Sequence, residues 1–371
     1  MPAATTAAPS APAGRTVRIW LQHLMCFVLP VTCLAYLGTG PHVWWAALLW
    51  LGILAGSVLA DMWSPSERRQ PDAALPGWPF DAVLFVLVGM QLVILTLWVT
   101  HVARHGFWRA DTLVGLVLVG VNSGYSAIVV AHELIHRGEA RMHALGRLLL
   151  CTVLYEHFAT EHIRGHHSRV GTPDDPATAR FGENPRAFLV RTVPAQFRSA
   201  WRLETKRLGD EGMRLSDPRI LGSRVLHGLV MEWSVALLIG LALGPAAFFA
   251  YVLQAMVAVR LLEAVNYLEH WGIVRAGPRP RPIDSWDKDS WFTLYTLVGL
   301  SRHADHHARA WKPYQQLEHV PESPKLPYGY FGTVVLVLFA DHLFRAHATA
   351  ELRRRGLGPF APAGAEPAAV A

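Results

Sequence analysis

The sequence predicts an all-α integral membrane protein, with about six transmembrane helices and a histidine-rich catalytic cap on their cytoplasmic side. Three observations predict it. The 371-residue chain is 52% hydrophobic and only 17% charged, where soluble domains carry roughly 25%, and its mean hydropathy is +0.24. Long runs carry no charge at all, among them 82–100 (AVLFVLVGMQLVILTLWVT) and 113–131 (LVGLVLVGVNSGYSAIVVA). At about 1.5 Å rise per residue each run is long enough for a hydrocarbon core of roughly 30 Å. Nine of the nineteen histidines fall into four tight groups.

The spans are expected near 18–38, 43–60, 81–101, 112–131, 226–243 and 246–265, the last two separated by the helix stop Gly244-Pro245. An even number puts both termini on one side. Arg15, Arg18, Arg68, Arg69 and the many basic residues after 136 share that side, while the short loops opposite hold only Arg104 and Arg109. The positive-inside rule makes the arginine-rich side cytoplasmic, and a bacterial-type inner membrane is the expected location. The same rule accounts for the net charge of +6 without a nucleic-acid partner. Residues 1–17, rich in Ala, Pro and Thr, lack the basic-then-apolar order of a signal peptide and read as a disordered tail. Residues 346–371 read as a flexible tail, leaving 18–345 as one membrane-embedded domain. The apolar patches 145–158 and 331–344 are expected to pack into the core. Cys26, Cys33 and Cys151 have no metal-like spacing and read as buried hydrophobes.

The histidine groups carry the chemistry. They are His132 and His136 in HELIH; His162, His166 and His167 in EHIRGHH; His270 in NYLEHWG; and His303, His306 and His307 in RHADHH. Residues three and four apart share a helix face, so each multi-histidine group turns at least two imidazoles the same way. Imidazole suits iron, zinc, copper and nickel. Nine are too many for one zinc, which takes four ligands, or three plus water, and fit two metals with four or five ligands each. All four groups sit at the cytoplasmic mouth of the bundle. Glu133, Glu161, Glu269 and Asp305 lie beside these histidines and are candidates for fixing ring orientation, as carboxylates do around metal-bound imidazole. His143 and His157 are the nearest of the other histidines. On span two, Trp44 and Trp45 read as interfacial anchors. Trp50, mid-span, is a candidate for narrowing a substrate channel, against the simpler reading of packing. Asp61 ends that span and either caps it or faces the site.

With these boxes in hand, the chain resembles the integral-membrane alkane hydroxylases (alkane 1-monooxygenases) of the wider membrane fatty-acid desaturase and hydroxylase superfamily. The likeness runs from about 20 to 345 and is dense in 157–185, 266–275 and 302–317, with LPYGY at 326–330. It implies a diiron site held by His132, His136, His162, His166, His167, His270, His303, His306 and His307. It also implies O2 as co-substrate, and hydroxylation of an unactivated C–H bond in a hydrophobic molecule drawn from lipid. Electrons would come from a separate rubredoxin, or a [2Fe–2S] reductase, fed by an NAD(P)H-dependent reductase; three cysteines without CxxC pairs cannot build a rubredoxin within this chain. HELIHR stands where HELGHK is common and is closer to the xylene monooxygenase branch, which attacks aryl methyl groups. DSWDKDSW (284–291) lacks histidines often found there, and KPYQQL replaces an Arg-rich version.

Three other readings compete. A lipid or fatty-acid desaturase would use the same metal chemistry; the HxxxHH box and His270 in NYLEHWG weigh against it. HELIH also fits the H-E-x-x-H of zinc proteases, but that leaves seven clustered histidines unexplained. A metal transporter would place ionisable residues mid-span, where this chain has almost none.

Overall fold

The computed structural model describes residues 13–71 and 75–362. Among these the chain is helical, with only two isolated bridges, Ser66 with Ser290 and Asp287 with Lys325. Six helices are long and apolar enough to cross a membrane: Gly14–Thr39, Trp44–Met62, Trp78–His105, Ala110–Ile135, Arg224–Leu243 and Pro245–His270, numbered here as spans 1 to 6. A seventh candidate, Tyr330–Phe339 followed by Asp341–Phe360, bends by 119°.

Spans 4 and 6 outrun the apolar segments that betray them. Hydropathy registers the length facing lipid, whereas the metal-side ends of these helices are wrapped in protein. In span 6, Glu263, Asn266, Tyr267, Glu269 and His270 are all buried. Span 4 occupies the centre of the bundle: 67% of its apolar window is buried inside the protein, against 17% for span 2 and 22% for span 5. The central helix is therefore the one that delivers His132.

Small residues set the close crossing of spans 4 and 6. A Cβ on Gly120 would lie 2.6 Å from Val257, and one on Gly124 would lie 3.4 Å from Leu261. Such small-residue contacts replace the hydrophobic driving force that lipid removes. Several polar groups inside the bundle pair with one another, since no water reaches them there. Gln91 Nε2 donates to Ser123 Oγ (3.0 Å), Asn122 Nδ2 to Gln91 Oε1 (2.9 Å) and Trp98 Nε1 to the Ala250 carbonyl (3.1 Å).

The cap is built from the segments after spans 4 and 6. Its longest helix, Pro185–Arg207, starts where Asn184 accepts from the Arg186 and Ala187 amides with proline at the first turn, a strong N-terminal signal. Asp61, at the end of span 2, ties it to the cap. It accepts from Ser290 Oγ (2.8 Å), Thr293 Oγ1 (2.6 Å) and the Gly332 amide (3.0 Å), fastening the second cap segment to the end of span 2.

Two helices run across expected boundaries. Helix begins at Ala13, inside the expected 1–17 tail, whose first twelve residues lie outside the described part. At the other end Asp341–Arg355 is a continuous helix running through 346 and burying Phe344, Ala348, Glu351 and Leu352. Its charged surface reads as tail, yet its apolar stripe seals Trp271 and Tyr267 through Phe344. Of the expected tail, 363–371 lies outside the described residues.

The Gly120 crossing is testable. Gly120→Leu should cost about 1–3 kcal/mol through overpacking and lower the melting temperature in detergent. Gly89→Leu, at a position with open space within 4 Å, should leave it unchanged.

Candidate metal centre

Span 4 ends in HELIH, and α-helical spacing stacks His132 and His136 with ring centroids 5.1 Å apart. The second box does not keep α spacing. His162–His166 is a π-helical turn, a feature that recurs at functional sites. The wider turn brings His162 together with His167, five residues on, with Nε2 atoms 3.0 Å apart. His306 completes a group, its ring 4.4 Å from that of His132 and 4.6 Å from that of His136. One nitrogen from each of His132, His136, His162, His167 and His306 lies within 4.8 Å of all the others.

The remaining four histidines converge alongside. His166, His270 and His307 form a second group within 4.8 Å, and Glu269, His270 and His303 a third that shares His270. His166 Nε2 lies 3.3 Å from His307 Nε2, and His303 Nε2 lies 3.4 Å from His270 Nε2. The nine rings thus divide into five and four, with Glu269 beside the four. Helical spacing pairs 162 with 166 and 303 with 306; the fold instead sends 162, 167 and 306 one way, and 166, 303 and 307 the other.

Burial, reinforced by neighbouring rings, holds His136, His162, His167, His303, His306 and His307 well below the ordinary imidazole range. Neutral rings keep a lone pair. The Nε2 atoms of His132, His136 and His306 are buried without a hydrogen-bond partner, which native interiors rarely tolerate. Converging, unprotonated and unpartnered nitrogens fit metal ions of the type imidazole binds.

The carboxylates behave less uniformly than their sequence positions suggest. Glu269 stands among the candidate ligands, Oε2 3.3 Å from His303 Nε2, and Tyr330 OH donates to its other oxygen at 2.8 Å. The other three turn away from the rings. Glu133 accepts from Arg137 Nε (2.7 Å) and the Tyr314 amide (3.2 Å). Glu161, pushed up to about 7 by burial, accepts from Arg169 at 2.7 Å. Asp305 takes Arg309, Lys312 and the Glu318 amide. Adjacent helix positions do not face each other, so an acid beside a ligand anchors the backbone and leaves the ring alone.

Sequence reasoning missed Asp175. Its Oδ2 lies 2.9 Å from His166 Nδ1 and also accepts from Thr178 Oγ1 at 2.6 Å. Burial pushes its carboxyl up, but His166 and Thr178 outweigh burial and hold it below the usual range. This contact leaves His166 Nε2 to face the cluster. Asp175 sits in a proline-flanked turn, TPDDPAT, where no spacing rule points to a ring nine residues away. His157 packs against Tyr155 and Phe197, and neither it nor His143 belongs to a histidine group. Trp50 is half-buried against Tyr36 and His42, toward the opposite end of the bundle. The histidine-free 284–291 segment is buried beneath the NYLEHWG box: the Trp286 amide donates to the Glu269 carbonyl and its indole to the Trp271 carbonyl, both at 2.9 Å.

A six-span bundle closed by converging imidazoles belongs to a class of integral-membrane oxidoreductases, and residues 110–333 match the fatty acid desaturase family. Within it the chain is 35% identical over 347 residues to alkane 1-monooxygenase 1 of Pseudomonas aeruginosa, covering 88% of each chain. It is 30% identical over 332 residues, 85% of each, to alkane 1-monooxygenase 2 of Alcanivorax borkumensis. The hydroxylase component of a xylene/toluene monooxygenase from Pseudomonas putida is more distant, 23% identical over 210 residues and 55% of each. The chain belongs to the alkane 1-monooxygenase family.

Asp175→Asn should weaken metal binding about 10–100-fold, the usual effect of losing a carboxylate behind a metal-bound imidazole. Metal titration of the purified apoprotein checks this, with Glu318→Gln, whose carboxylate meets only Arg309 and Lys312, expected to bind as the parent.

Proposed function

We propose that this protein hydroxylates the terminal methyl of a medium- or long-chain alkane, using O2 at a histidine-bound diiron centre. The observation that carries the proposal is the division of the nine buried histidines into a five and a four, the latter with Glu269 alongside. One iron is assigned to His132, His136, His162, His167 and His306. The other is assigned to His166, His270, His303 and His307, with Glu269 as a further oxygen donor. Bound iron supplies the activation of O2 and the removal of hydrogen from an unactivated C–H bond. The overall reaction takes one alkane, one O2, two electrons and two protons to an alcohol and water. The electrons are assigned to a separate rubredoxin with its NAD(P)H-dependent reductase, because the three cysteines here are buried and unpaired.

The chain's own residues do the positioning. Arginine–carboxylate pairs fix the strands of chain that carry the rings, and Asp175 fixes the His166 tautomer. Burial of His270, His303, His306 and His307 keeps water off the reacting centre and suppresses side reactions. The metal end of the bundle is assigned to the cytoplasmic face of a bacterial inner membrane, where a soluble electron donor reaches it, and the substrate enters from lipid. The relatives named for alkanes match at 30–35% identity over most of the chain, against 23% over about half for the xylene enzyme; this favours alkanes over aryl methyl groups.

Metal analysis and an oxygen-dependent assay with octane, hexadecane and p-xylene test the proposal. Two irons per chain and a 1-alkanol are expected, and His270→Ala should lose both activity and iron. One zinc per chain and no oxygen dependence would sink it.

Trp50 is assigned to the far end of the substrate channel. It stands twelve residues from the metal-side end of span 2, roughly 18 Å along the helix. Trp50→Ala should lengthen the longest alkane accepted, read from the chain-length profile of products; an unchanged profile would return Trp50 to packing.

A further inference from the structure

A second site lies at the metal-side end of the bundle, apart from the histidines. A cavity of about 480 Å³ opens between the start of span 1, the segment following span 2 and the segment around 294–315. That is room for a small-molecule group. Its wall carries Arg18 and Arg302, with Arg69 beside them bonded to Glu67. Among the described residues no carboxylate lines it; the nearby Glu67 is engaged by Arg69 through both oxygens.

Arg302 is the unusual member. It is 8% exposed, and its guanidinium donates to two backbone carbonyls, those of Leu317 and Arg69, the latter at 2.7 Å. Glu67 acts on it from nearby but spends both oxygens on Arg69, so this buried charge has no carboxylate bonded to it among the described residues and has use for a further counter-charge. Two further side chains of the wall point to a ligand. Gln315 is 5% and His23 4% exposed. Both amide atoms of Gln315 and Nδ1 of His23 have no hydrogen-bond partner.

The rest of the wall is greasy: Ile19, Leu75 and Leu294 line it. Arg15 and Arg18 sit one turn apart where span 1 begins, and Val17 and Leu21, about half exposed, continue the apolar surface beside them. Basic pockets between membrane helices at headgroup depth are built to hold lipid phosphates.

We propose that this cavity binds the phosphate headgroup of an anionic phospholipid from the leaflet on the metal side, its acyl chains lying along span 1. The occupant joins two segments that hold the metal centre. Arg302 immediately precedes His303, and Tyr314, also in the wall, donates its amide to Glu133 beside His132. The inference is independent of which substrate is oxidised.

The test uses the full chain purified in detergent, with bound lipid counted by native mass spectrometry and stability read as melting temperature. The probes are phosphatidylglycerol, phosphatidylcholine and inorganic phosphate. One phosphatidylglycerol per chain should be retained in preference to phosphatidylcholine, with a rise in melting temperature. Arg18→Gln, at the accessible rim, should weaken retention roughly fivefold. Equal retention of the two lipids, or full retention by Arg18→Gln, would overturn the site. Stabilisation by millimolar inorganic phosphate equal to that by phosphatidylglycerol would overturn the lipid as its source.

Discussion

Everything in this protein answers to one constraint: nine imidazoles have to be gathered, uncharged, in a dry place. Protonated, they would repel one another in a low-dielectric interior. Neutral, they leave lone pairs that need a partner. Burial keeps His136, His162, His167, His303, His306 and His307 neutral, and convergence of the nitrogens gives the lone pairs a common target. The bundle supplies the depth for this, since two of its long helices, spans 4 and 6, each bring histidine to the same end.

Holding the rings still is a separate problem, and it is solved around the rings more than at them. Arg137 bonds Glu133 and also reaches Asp81 on span 3, at 3.1 Å. Arg164 and Arg169 tie the π-helical box to the helix Pro185–Arg207 through Glu204 and Ser199. Arg309 and Lys312 grip Asp305. Breaking one partner of such a buried pair is far more damaging than the pair itself is stabilising, so these arginines act as fixed struts. The rings they support are free to spend their nitrogens on the centre.

How much of this was legible beforehand depends on range. The spans could be read because lipid imposes a simple demand on twenty consecutive residues; their metal-side extensions could not, because protein shields Glu263 through His270 and lifts that demand. The histidine set could be read from its clustering. Its division could not, because α-helical spacing assigns His162 to His166, and a π-turn is a local departure that no residue type announces. Asp175 was invisible for a related reason: its bond to His166 depends on how a proline-flanked loop folds back. The part of Asp341–Arg355 beyond 346 looked like tail because its mostly exposed or charged positions hide a stripe as thin as Ala348 and Leu352.

Span 4 has a consequence for traffic. Its 26 residues rise roughly 39 Å, about 9 Å beyond a typical hydrocarbon core, and its histidines sit at that overhang. A greasy substrate must therefore climb out of its solvent to react, while a product bearing a new hydroxyl is born at headgroup depth with its polar end already facing water. On the proposed reading, orientation at birth sorts product from substrate: the alcohol lies as an interfacial amphiphile, and its replacement at the centre by fresh alkane runs downhill without any dedicated gate.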